Sequence, residues 1–183
     1  MEDRYGDFGT KAFPATRTVF RAILRLLAPL FLVFGATPAS ADQWSLLLNG
    51  KAIHLENPPG TNYNEKNWGV GLEYDFTLKD SKWRPFLTSS SFKDSNKNPS
   101  HYAGGGVMRR YAFSEKKDSI HIDIGLVVFA MIRKDSKNGN PFPGVLPVIS
   151  LGTDRVALNV TYIPGVDPKL IPLLFLQVKV GIF

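Results

Sequence analysis

The sequence predicts an all-β fold: an eight-stranded antiparallel outer-membrane β-barrel behind a cleaved signal peptide. Three observations predict it. Apolar residues recur at every second position over runs of about 7–12 residues, the length of a tilted membrane strand. No comparable helical period appears. The first 41 residues differ in character from the rest, reading as a leader followed by one domain over 42–183. The chain has 183 residues, 44% hydrophobic and 21% charged, with no cysteine. That composition argues against a disordered tail, a disulfide scaffold, a zinc ribbon and a cysteine-nucleophile enzyme. The 22 Lys and Arg outnumber the 16 Asp and Glu, but they are dispersed, so no nucleic-acid surface is expected.

In the leader, Arg17, Arg21 and Arg25 precede a short apolar run from Leu26 to Phe34, and Ala39-Ser40-Ala41 follows. A basic stretch, a core of roughly 7–15 apolar residues and an Ala-x-Ala end make a secretory signal, too short to span a membrane. Residues 1–41 are therefore read as a signal peptide, with the strands beginning soon after it.

Strands are expected at 44–56, 66–78, 83–92, 102–113, 119–132, 144–152, 154–162 and 172–183. In the second, Trp68, Val70, Leu72, Tyr74 and Phe76 alternate with Gly69, Gly71, Glu73 and Asp75. In the fifth, the row from Ile120 to Ile132 is offset from His121, Asp123, Gly125, Val127 and Phe129. The connections at 78–82, 114–118 and 152–154 are short. Those at 57–65, 93–101, 134–143 and 164–172 are longer and rich in Asn, Gly and Pro, as expected for outer loops. Phe183 shares a row with Lys179 and Gln177, which predicts a bulge in the last strand.

The inward rows are graded. Toward the periplasm lie Glu73, Asp75, Arg110, His121, Asp123, Gln177 and Lys179, both charge signs together. Toward the outer rim the same rows become glycines with Met108, Val127, Phe129, Met131 and Phe175. A water-filled pore would stay polar throughout. This pattern suits an acyl chain lying in a hollow, greasy outer half above a polar plug.

Three residues near the outer rim carry the types that acyl transfer needs: His54 at the end of the first strand, and Asp94 and Ser95 opening the second outer loop. Histidine supplies a base with pKa near neutrality, serine an oxygen nucleophile or hydrogen-bonding partner, and aspartate a group that orients or polarises. No His/Asp/Glu set has metal-ligand spacing, so neither a metal nor a cofactor is expected.

These stretches resemble the PagP-type lipid A palmitoyltransferases, an outer-membrane family. The matching residues run in order: His54; Tyr63-Asn64-Glu65 with Trp68-Gly69-x-Gly71; Phe92-Lys93-Asp94-Ser95; and Ala103-Gly104-x-Gly106. Arg133, Pro143-x-x-Leu146-Pro147 and Thr161-Tyr162-Ile163-Pro164-Gly165 complete the series. The resemblance implies an acyltransferase of the cell outer membrane that acts in lipopolysaccharide modification. It would move a palmitoyl or similar chain from a phospholipid donor to a lipid A acceptor, with His54, Asp94 and Ser95 catalytic. It places the acyl-pocket floor at Gly106. It makes Pro147 and Pro164 the residues that weaken strand pairing where lipid enters sideways. Two further family prolines, at a second lateral opening, are replaced here by Asn49 and Asn67. A monomer is expected. The alternatives are a lipid A deacylase on a similar barrel, which would hydrolyse rather than transfer, and a non-catalytic small lipid-binding barrel.

Overall fold

The structure, a computed structural model, describes residues 42–56, 58–116, 118–165 and 171–182. The expected leader and the terminal Phe183 lie outside these residues. The eight strands are β1 (Gln43–His54), β2 (Lys66–Asp75), β3 (Trp83–Lys93), β4 (Pro99–Ala112), β5 (His121–Arg133), β6 (Phe142–Gly152), β7 (Val156–Ile163) and β8 (Leu173–Gly181). Each pairs antiparallel with its sequence neighbours, and β1 pairs with β8, so the barrel is closed. Closure gives β1 and β8 partners on both sides, as a strand requires where there is no water to satisfy its backbone.

Alternation sets the two faces. Outward, Val70, Leu72, Leu126, Val128, Ile149 and Leu158 stay exposed and form an apolar belt for lipid. Aromatics band that belt at both ends, with Trp68 and Tyr162 toward the outer rim and Trp44, Trp83 and Tyr111 toward the other, as in outer-membrane barrels. Inward, Phe86, Met108, Val127 and Val148 close the middle of the lumen, with Phe129 and Leu146 packed against them.

Below that layer the charges pair as the graded pattern predicts. Lys179 Nζ lies 2.7 Å from Glu73 and 2.6 Å from Asp75, and Arg110 reaches Asp123 at 2.9 Å and Asp154 at 2.7 Å. In a narrow lumen each charge must meet its opposite, because an unpaired one there is costly. Gln177 joins the plug from above, donating to Asn49 Oδ1 at 2.5 Å and to Tyr102 Oη at 3.0 Å.

Two expectations are corrected. The irregular strand is β1, not β8. Its register shifts against both neighbours between Asn49 and Lys51, whereas the β7–β8 ladder runs without a shift through the described residues. The second outer connection is also not long. It spans only residues 94–98, because β4 starts at Pro99 and pairs Lys93 with it. Asp94 closes that turn by accepting the Asn96 and Asn98 backbone N–H groups at 2.9 Å each, and Lys97 takes a φ of 63°. An Asx turn of this kind was hidden in a stretch that composition alone reads as loop.

Candidate active site

The shift in β1 decides where His54 points. Ser45, Leu47 and Asn49 are buried in the lumen, and after Gly50 the buried positions become Ala52 and His54. Without the extra residue the period of two would turn His54 to the lipid. With it, His54 is 8% exposed and its Nε2 lies 3.0 Å from Ser95 Oγ. Tyr63 stacks on the imidazole, with ring centroids 4.8 Å apart at 19°.

Ser95 is held by the tight β3–β4 turn, which is itself tied to the β1–β2 loop. Asn64 donates its backbone N–H to Ser95 O at 2.8 Å and its Nδ2 to Asp94 O at 3.1 Å. Asp94 is 3% exposed, and its carboxylate makes no hydrogen bond to the imidazole. Besides the two turn amides it accepts Ser100 Oγ at 2.9 Å and lies 3.5 Å from Arg133 Nε. His54 Nδ1 is buried with no hydrogen-bond partner. His54 and Ser95 thus meet, while Asp94 stands beside them as the anchor of the turn. Arg133 also contacts Asp135, which bonds Asn96. Burial works against the charge on Asp135, but the Asn96 hydrogen bond and the Arg133 guanidinium outweigh it and hold this carboxyl below its usual range.

Beneath the pair lies a cavity of about 440 Å³, walled by Phe92, Phe129, Met131, Leu146 and Phe175. Its floor is Phe86, which stands inward of Gly106: a Cβ on Gly106 would sit 2.6 Å from Phe86 Cζ and 2.2 Å from the Leu126 carbonyl oxygen. Gly106 acts on the space through that ring. A second cavity, of about 260 Å³, belongs to the charged end and is lined by Arg84, Arg110, His121 and Asp123.

The wall beside the greasy cavity is incomplete on one flank. β5 pairs with β6 as far as Met131 and Phe142, but β6 pairs with β7 only from Val148–Thr161 to Gly152–Ala157. Pro147 stands where the β6–β7 ladder stops, and Pro164 follows the end of β7 and lines the cavity. The replaced positions on the opposite flank are buried instead: Asn49 Nδ2 donates to Ser90 Oγ at 2.6 Å and Asn67 Nδ2 to Lys93 O at 2.8 Å. Among the described residues no three His, Asp or Glu side chains converge as metal ligands do. Sequence reasoning gave no separate role to Tyr63 or Ser100. Tyr63 sat in a quoted motif, but no local signal marks Ser100.

Comparison with known proteins places these features in a family. The family model described as "Antimicrobial peptide resistance and lipid A acylation protein PagP" matches residues 52–176. A protein named lipid A acyltransferase PagP from Bordetella parapertussis is 34% identical over 165 residues, covering 77% of this chain and 88% of that protein. One of the same name from Laribacter hongkongensis is 35% identical over 109 residues, covering 56% of this chain and 48% of its own length. The chain therefore spans about half the length of several relatives it matches. Among solved structures, Neisserial surface protein A aligns with a TM-score of 0.43 at 12% identity, covering 79% of this chain and 96% of that one.

Proposed function

The chain belongs to the PagP family of outer-membrane lipid A acyltransferases, and from that premise we propose that it moves a palmitoyl or similar chain from a phospholipid to lipid A. The observation that carries this reading is the 3.0 Å contact between His54 Nε2 and Ser95 Oγ at the mouth of an apolar cavity. The donor's acyl chain fills the cavity, reaching it sideways through the open seam between β6 and β7 beside Pro147 and Pro164. This sets the ester carbonyl next to the pair.

His54 is the proton acceptor. The oxygen it activates is either Ser95 Oγ or an acceptor hydroxyl lying in the same place. As that oxygen attacks the ester carbonyl, His54 takes its proton, then returns it to the leaving glycerol oxygen. When Ser95 is the attacking oxygen, a second displacement by the acceptor hydroxyl releases the chain from the serine. The products in both routes are lipid A with one more acyl chain and a lysophospholipid. Asp94 is a positioning residue that keeps Ser95 in reach, and Tyr63 keeps the ring upright. The barrel works as a monomer, since one chain supplies the cavity and both reacting side chains.

Mass spectrometry of lipid A from cells with and without the chain tests the reading. A gain of one acyl chain is expected. Loss of a chain with release of fatty acid would establish the deacylase instead, and an unchanged profile the non-catalytic barrel. Acid quenching during turnover with a labelled donor separates the two routes, since only one leaves label on Ser95.

A further inference from the structure

The outward face of the strand ends beside His54 and Ser95 is cationic. Lys51 on β1, Lys66 on β2 and Lys93 on β3 are all exposed. Lys51 and Lys66 are direct register partners in the β1–β2 ladder. Like charges placed opposite one another destabilise a sheet, so this pair costs the barrel unless something negative lies against it. The nearby carboxylates do not supply enough. Glu65 reaches Lys51 at 3.5 Å with both side chains about half exposed, while Asp94 and Asp135 are turned to Arg133. Among the described residues Lys66 and Lys93 make no ion pair.

Height and neighbours identify the occupant. Trp68, 69% exposed, follows Lys66 by two residues on the same face and marks the level where the apolar belt gives way to headgroups. Lys51 precedes His54 by three residues, and Lys93 precedes Ser95 by two. On the opposite flank, where β6–β7 pairing fails, the outward rim residues Pro143, Val145, Tyr162 and Leu174 are uncharged.

We propose that Lys51, Lys66 and Lys93 form a docking site for the phosphate groups of the acceptor glycolipid. The site rests on the acyltransferase reading above. It holds the acceptor on the β1–β3 side of the reacting pair, while the donor arrives from the apolar β6–β7 side. The acceptor's phosphate monoesters carry more negative charge than the donor's single phosphodiester, and the site favours the former.

The test uses the chain purified in mixed micelles, with bisphosphorylated lipid A and its phosphate-free counterpart as acceptors. A K51Q/K66Q/K93Q variant is expected to raise KM for the bisphosphorylated acceptor about tenfold. The K51R/K66R/K93R variant restores it, and the glutamine variant and the parent share one KM for the phosphate-free acceptor. Equal KM values for the phosphorylated acceptor, an equal loss with both acceptors, or a rise in the donor's KM instead would each overturn the proposal. Binding is read independently from Trp68 fluorescence in a W44F/W83F background, titrated with each acceptor. If the parent binds phosphorylated lipid A through this rim but transfers nothing, the site stands and only the acyltransferase reading falls.

Discussion

Substituting Asp94 separates two jobs a carboxylate can do beside a histidine. In a Ser–His–Asp triad the carboxylate orients the base, and its amide replacement costs about 10⁴ in rate. Here the carboxylate touches no imidazole nitrogen. It accepts two turn amides through Oδ1 and Ser100 through Oδ2, with Arg133 alongside. Asp94→Asn keeps an oxygen for the two amides and weakens the Ser100 and Arg133 side, a loss of about 1–3 kcal/mol of stability. Asp94→Ala removes every one of these bonds, costs about 3–5 kcal/mol, and frees the turn that holds Ser95. The expected order is therefore a fall of about tenfold in transfer for Asp94→Asn and of at least a hundredfold for Asp94→Ala. Thermal unfolding of the refolded barrel should follow the same order. The assay is transfer of labelled palmitate from phospholipid to lipid A in micelles, with circular dichroism for stability. If Asp94→Asn is as inactive as His54→Ala while melting like the parent, the carboxylate acts on the base directly and the positioning argument is refuted.

Three further outcomes follow from the geometry. His54→Ala or Ser95→Ala should leave a folded, membrane-inserted barrel with transfer reduced about 10²–10⁴-fold; full activity in either would remove the pair from the mechanism. Gly106→Ala forces a Cβ against Leu126 O and Phe86, so the ring should rise into the cavity, costing about 1–3 kcal/mol and shortening the preferred acyl chain. An unchanged product spectrum by mass spectrometry would count against Phe86 as the floor. Pro147→Ala returns a backbone donor where the β6–β7 ladder stops, and should raise the melting temperature while slowing uptake of phospholipid; faster uptake would contradict access at that seam.

The sequence alone determined the eight strands, the lipid-facing belt and the change from charged to greasy interior. Each of these is written in alternation, and alternation is local: a residue's neighbours two positions away share its face whatever the rest of the chain does. It also named His54, Asp94 and Ser95 as the rim residues to examine. What it could not determine was how they are aimed. One irregular step after Asn49 turns His54 from the lipid to the lumen, and that step is fixed by β1 pairing at once with β2 and β8, partners far away in the chain. The direction of the Asp94 carboxylate depends on Ser100 and Arg133, brought to it by β4 and β5. Pro147 marked the weak seam, but its extent needed the structure: β6 leaves β7 beyond Val148–Thr161 while β7 stays paired with β8 as far as Ile163. Faces follow from local period; register, aim and access follow from which strands meet.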